Sequence, residues 1–247
     1  FAIILFTVFI ILTFPLTTAG QSAPDPLKRE YHGFTLWLDC KTHHGALAFY
    51  YEIGKDAGNI DRSGYSFEMD REVPPACQAT RSESYRTNTV PPSAGKWDRG
   101  HLVPANHLDN DPAAFADSFY LTNILPQAQA FNRSGGAWFQ SEVITECYRE
   151  ITPLKIWGGV IWGNNTKNDY FTDTHGIKTP DYWWKLIYRP DKQAYIAWIF
   201  PNAPAAKAKS IDSYAVSMQT LETKVDFLPD RGPVRAPRTN QSPRSWP

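Results

Sequence analysis

The chain has 247 residues, of which 42% are hydrophobic, 14% aromatic and 20% charged, enough apolar material for one core and too much for a wholly disordered polymer. Its 25 Lys and Arg balance 25 Asp and Glu. That balance excludes a polybasic coat for nucleic acid, so any anion must be met by a local cluster of charge.

Residues 1–20 carry no charge, and residues 1–12 (FAIILFTVFIIL) are almost wholly apolar. With the small-residue stretch Thr17-Thr18-Ala19-Gly20 behind it, this run predicts a signal peptide over residues 1–20. A membrane anchor is the competing reading, but the run to Leu16 is shorter than the roughly 20 residues a spanning helix needs. The expected protein is secreted and extracellular, with no stable membrane association after signal cleavage. Export permits disulfides. Of the three cysteines, Cys40 and Cys77 are expected to bond, leaving Cys147 buried and free; an intermolecular bridge is the alternative, and the spacing fits no zinc motif.

Residues 21–28 form a polar, proline-containing lead, and one domain is expected over residues 29–227. Strand patterns occupy residues 34–38, 46–53, 155–162, 182–188 and 194–200. The last two are joined by Arg189-Pro190-Asp191-Lys192, which predicts a hairpin. Asp111-Pro112 before Ala113-Ala114-Phe115-Ala116 reads as a capped helix start. Residues 136–151 place Trp138, Val143, Cys147 and Ile151 near a helical period, and residues 205–225 predict one or two further helices. Residues 228–247 form a Pro/Arg-rich tail with no apolar periodicity, expected to be flexible. Strands and helices do not alternate regularly, so the class is α+β around a central antiparallel β-sheet flanked by helices.

The stretch from Lys96 to Glu142 carries polar groups that a plain core does not need: Asp98-Arg99-Gly100-His101, Thr122-Asn123-Ile124-Leu125-Pro126-Gln127, and Asn132 followed by Gly136-Ala137-Trp138 and Glu142. Phosphodiester hydrolysis requires a base for water, a metal to neutralise charge, and a cation to hold phosphate. His101 titrates near neutral pH as an unperturbed side chain, and Arg99 offers a planar fork of donors suited to phosphate oxygens. Gly100 between them is expected to permit positive φ, letting His101 leave the strand. Asn132 and Glu142 offer hard oxygen atoms to a divalent cation such as magnesium, and Glu146 shares the helical face of Glu142.

These runs, in this order, resemble the DNA/RNA non-specific endonuclease family of the ββα-metal (His-Me finger) group, over about residues 33–225. The resemblance implies the ββα-metal nuclease fold and cleavage of DNA and RNA to 5′-phosphorylated fragments. It implies His101 as general base, Asn132 as Mg2+ ligand (Mn2+ is the other metal considered) and Glu142 as holder of the metal or its waters. It further implies Arg99 on the phosphate, Asp98 behind the ligands, and Asn123 fixing the backbone of the site or orienting His101. DNA and RNA would be the substrates, with the protein a monomer or a homodimer.

Two departures stand out. Arg133-Ser134-Gly135 lengthen the turn before Gly136-Ala137-Trp138, and position 146 holds Glu where family members commonly carry an Arg for the leaving group. Arg149 is the candidate replacement, as a second phosphate contact. A non-catalytic nucleic-acid-binding protein on the same fold is the alternative, and a carbohydrate-binding or structural protein is suggested only by the nine Trp. His43 and His44 are adjacent, so on a strand they point to opposite faces and read as structural. His107 reads as loop packing, His175 as a turn residue, and the tryptophans of the strands as core.

Overall fold

The computed structural model describes residues 25–55 and 58–231, so the expected signal peptide and residues 232–247 of the expected tail lie outside the described residues. In chain order the elements are β1 (Leu27–Tyr31), β2 (Phe34–Asp39), β3 (Gly45–Ile53), β4 (Trp97–His101), α1 (Pro112–Asp117), β5 (Ile124–Ala128) and α2 (Gln129–Asn132). They continue as α3 (Ala137–Arg149), β6 (Leu154–Ile161), α4 (Thr172–His175), β7 (Tyr182–Arg189), β8 (Ala194–Pro201) and α5 (Met218–Lys224), with several short 3-10 turns between. The class is α+β, as its pattern predicts.

Six strands form one antiparallel sheet in the order β1-β2-β3-β6-β7-β8. Its inner strands are nearly continuous hydrophobic runs because both faces are covered. Ala48, Trp157, Trp184 and Tyr195 pack with Met218 and Leu221 of α5 on one face, while Phe49, Ile156, Trp183 and Phe200 pack toward Phe131 and Trp138 on the other. The strand tryptophans are therefore core. β7 alternates strictly, so Lys185 and Arg189 share the second face with Trp183 and Ile187. β1, an edge strand that the sequence pattern does not mark and that straddles the end of the polar lead and the start of the expected domain, reads LKREY and has no buried residue. Its five residues pair with β2 across the whole strand.

The second face carries the functional layer. β4 and β5 pair antiparallel as a separate two-stranded sheet, with Arg99 opposite Pro126 and His101 opposite Ile124. Buried Asn202, just past β8, pins this ribbon: its Oδ1 accepts from Ala128 N at 2.9 Å, and its Nδ2 donates to Pro126 O at 3.0 Å and Pro180 O at 2.9 Å. After β5 the chain makes α2 and then α3, completing a β-β-α unit.

α3 buries Ala137, Trp138, Ser141, Thr145, Tyr148 and Arg149. The apolar period through Val143, Cys147 and Ile151 is out of phase with this stripe. At about 100° per residue, Cys147 lies opposite Trp138 on the helix. Cys147 is thus free, as expected, but exposed rather than buried. Ser141 and Thr145 enter the core because their hydroxyls bond back to Trp138 O and Ser141 O, which hides them from a hydropathy pattern. Cys40 and Cys77 are bonded, tying the end of β2 to the 3-10 turn Pro75–Cys77.

Candidate active site

A cleft of about 680 Å3 opens between β4, the loops before it, α3 and the turn that leads into α3. Its walls include Asp98, Arg99, His101, Asn132, Glu142 and Glu146, residues far apart in sequence. Alternation along β4 sets Arg99 and His101 on one face and Asp98 on the other.

His101 ends β4. Its ring lies 5.7 Å from Phe119 edge-on and 5.4 Å from Phe67, and its Nε2 is buried without a hydrogen-bond partner. Desolvation, reinforced by the Arg62 and Arg99 guanidiniums, pushes its pKa down to about 3, so the imidazole is uncharged at neutral pH. Gly100 serves it differently from expectation. Its φ is not positive; it pairs with Leu125 inside the ribbon, and a Cβ there would fall 2.3 Å from Gln127 Oε1. The glycine is required for close approach, not for a turn.

Asn123 is fully buried in the 3-10 turn Leu121–Asn123. Its Oδ1 accepts from Val103 N at 2.9 Å, its Nδ2 donates to Val103 O at 3.0 Å and Ser118 O at 2.9 Å, and its carbonyl accepts from Leu102 N. It grips the backbone immediately after His101 and contributes no atom to the cleft wall.

Asp98 organises the opposite wall. It accepts from Gln129 Nε2 at 3.1 Å, from Asn132 Nδ2 at 3.2 Å and from Arg133 Nε and an Arg133 terminal nitrogen, both at 2.8 Å. Burial alone would raise the Asp98 carboxyl, but the hydrogen bonds from Arg133, Gln129 and Asn132 outweigh it and hold it below the usual range. Because Asn132 gives its NH2 to Asp98, its Oδ1 is left as the acceptor for a cation. The lengthened turn has a structural use here: Arg133 is the bidentate partner of Asp98, Gly135 takes φ +85°, and Gly136 leads into α3 with a Cβ position only 2.0 Å from Phe131 O.

Glu142 reaches the cleft from α3. Burial pushes its carboxyl up, the buried Lys185 ammonium opposes that rise, and Glu146 adds to it. Lys185 itself is pushed down by burial and held up by the two carboxylates; its Nζ stands 3.8 Å from the centre of the Trp138 ring. Glu146 accepts from Asn106 Nδ2 at 2.6 Å and stands 3.4 Å from His107 Nε2, whose Nδ1 bonds the Tyr51 hydroxyl at 2.8 Å. Asn132 Oδ1 and the Glu142 carboxylate make a hard, oxygen-only donor set, which fits a divalent cation that keeps several waters. Among the described residues no group of three or more His, Cys, Asp and Glu side chains is placed to hold a metal.

Arg99 is clamped between the Phe67 ring, 4.2 Å from its guanidinium carbon, and Ser82 O, to which it donates at 2.6 Å. Arg149 is not brought to the cleft. It is buried at 7% exposure and donates to Asn106 O at 3.3 Å, because on α3 it falls in the core-facing stripe beside Trp138. The cleft has three further arginines that the motifs do not reveal, Arg62, Arg86 and Arg133. They come from loops without periodic signal, and only proximity in the fold marks them. His43 bonds Asp39 and stacks on Trp162, while His44 bonds Ala76 O, so neither belongs to the site.

Comparison with known proteins agrees with this architecture. The family model described as DNA/RNA non-specific endonuclease matches residues 15–235. The nuclease EXOG, mitochondrial, of Xenopus laevis is 24% identical over 187 residues, covering 70% of this chain and 49% of its own length. Its Homo sapiens namesake is 25% identical over 182 residues, covering 68% and 47%. Among solved structures, the EndoG/EndoGI complex superposes with a TM-score of 0.64 at 19% identity, over 81% of this chain and 84% of that chain, a likeness of fold. The chain spans about half the length of the curated relatives named here. They correct one expectation: these relatives are mitochondrial, not secreted, and an apolar leader read from composition does not specify the compartment.

Proposed function

The chain belongs to the DNA/RNA non-specific endonuclease family, and from that membership and the cleft we propose that it is a Mg2+-dependent, sequence-nonspecific endonuclease acting on DNA and RNA. The observation that carries this reading is the convergence, in one arginine-lined cleft, of a neutral His101 with an unpartnered Nε2 and of the oxygen donors of Asn132 and Glu142.

In this mechanism His101 takes the proton from the attacking water as it approaches phosphorus in line with the leaving oxygen. Arg99, already held by Ser82 O and Phe67, presents its guanidinium to a phosphate oxygen without having to be ordered first. Asn123 keeps His101 in register by binding the backbone on its C-terminal side. Asp98 holds the Asn132 amide by its nitrogen, leaving the amide oxygen free, and Asn132 and Glu142 are the residues that would hold a divalent cation. Bound there, Mg2+ or Mn2+ would neutralise charge growing on the phosphate and the leaving oxygen. Contacts to phosphate rather than base edges give no sequence discrimination, and the expected products are 5′-phosphorylated fragments.

The test is digestion of plasmid DNA and total RNA with Mg2+, with EDTA, and with His101→Ala in place of the wild type. Metal-dependent degradation of both substrates, lost in the variant, is the expected result. Intact substrates across Mg2+ and Mn2+, with a folded protein that still binds them, would favour the non-catalytic alternative, for which the specific observation is Glu146 engaged with Asn106 where the family commonly has an arginine.

A further inference from the structure

α3 carries one feature that phosphate chemistry does not require. Phe139 is 37% exposed, and the other exposed large hydrophobic side chains among the described residues, Leu27, Ile151 and Tyr182, do not line the cleft; Phe139 does. Its neighbour Trp138 is fully buried and packs with Phe131, Trp183 and Phe200, but Phe139 takes part in neither the core nor those ring contacts.

Helix geometry places the ring relative to the chemistry. On a helix of about 100° per residue, Glu142, Glu146 and Phe139 fall within about 60° of one another, and Phe139 stands about 4.5 Å along the axis from Glu142, toward the N-terminus. The first turn of α3 is held there by backbone bonds, Ala137 N to Ala206 O at 3.0 Å and Ala208 N to Gly135 O at 2.9 Å, so the ring is presented by a fixed element. Arg133 and Ser134, a few residues before Phe139, also line the cleft. Phe67, Trp97 and Phe115 also line the cleft, but of its rings Phe139 is the exposed one, and a phenyl ring so placed, beside the arginines proposed to meet phosphate, fits the flat face of a nucleobase. Stacking of this kind tolerates any base.

We propose that Phe139 is a binding platform on which the base of the nucleotide flanking the scissile phosphate stacks. This deepens the endonuclease reading and rests on it. The ring binds a base that has left the helical stack, so the site favours strands whose bases are free to do so, single strands and distorted duplexes, without reading their sequence.

The experiment uses end-labelled single-stranded oligonucleotides in which one nucleotide is replaced by the stable abasic analogue tetrahydrofuran, cleaved by the full chain with Mg2+ and resolved linkage by linkage. Wild type is expected to cut a linkage flanking the abasic residue about tenfold more slowly than the same linkage with its base. Phe139→Ala should remove this gap, cutting all linkages evenly and more slowly, and Phe139→Trp should restore it. Since the side chain is exposed, both variants should keep the wild-type melting temperature. A wild type that cuts beside the abasic residue at the normal rate, or a gap that persists in Phe139→Ala, overturns the proposal. Absence of metal-dependent cleavage at every linkage would instead overturn the endonuclease reading, and the platform with it.

Discussion

His101 illustrates how strongly the fold changes a residue recognisable from sequence. An exposed imidazole would be about half protonated near pH 6.5, whereas here burial, Arg62 and Arg99 push it down to about 3. Since those guanidiniums disfavour the imidazolium, Arg62→Ala should raise the acid limb of the pH profile of kcat/KM, while the wild-type limb lies below the ordinary histidine value. An unmoved limb would mean that another group sets it. Asp98 is the second decisive residue. Asp98→Asn keeps the shape but removes the charge that holds Arg133 and orients the Asn132 amide. Loss of such a supporting contact should weaken metal binding about 10- to 100-fold, measured by titrating activity with Mg2+. His101, Asn132 and Glu142 were legible because the motif compresses their chemistry into one stretch. Lys185 and Arg62 were not, since β7 reads as an ordinary buried strand and the loop carrying Arg62 has no periodicity.

At the scale of elements, the ribbon β4-β5 carries His101, α2 carries Asn132 and α3 carries Glu142, so the packing of these three elements sets the spacing across the cleft. Their junction depends on Gly136, where a Cβ would lie 2.0 Å from the Phe131 carbonyl oxygen, a backbone atom that cannot swing aside. Gly136→Ala should therefore destabilise the protein by about 1–3 kcal/mol through overpacking and displace α3, lowering both the melting temperature and the cleavage rate. Retention of both would show that the turn is more yielding than its packing indicates. Five strands of the main sheet and the capped start of α1 were readable from alternation, a turn and Asp111, whose side chain accepts from Ala113 N and Ala114 N. The face of α3 was misread because Ser141 and Thr145, polar by type, complete its buried stripe. β1 escaped notice because an edge strand with no buried residue has no hydrophobic pattern to show.

Across the whole molecule, a neutral net charge coexists with Arg62, Arg86, Arg99 and Arg133 gathered at one cleft, so the positive charge offered to an anion there is local. The fold also holds histidine neutral at depth. His107 is fully enclosed, pushed down to about 4 by burial, with Glu146 opposing the shift and Lys185 and Arg149 adding to it. A histidine depressed in the folded state stabilises the fold fully above its ordinary value near 6.5. That stabilisation is lost as pH falls toward 4, where the unfolded chain binds a proton that the folded one does not. The difference corresponds to about 3 kcal/mol. Urea denaturation in EDTA should show a steeper loss between pH 7.5 and 4.5 for wild type than for His107→Gln; equal slopes would assign acid sensitivity elsewhere.

The claim that joins these scales is that His101 and Asn132 serve one transition state from opposite walls of one cleft. Single-turnover cleavage of a labelled duplex by wild type, His101→Ala, Asn132→Ala and the double variant tests it most directly. Each single variant should lose about 10²- to 10⁴-fold, and the double should be barely slower than the slower single, because residues that act as a unit are not additive. Losses that multiply in the double variant, or a His101→Ala protein that cleaves at the wild-type rate, would contradict the account.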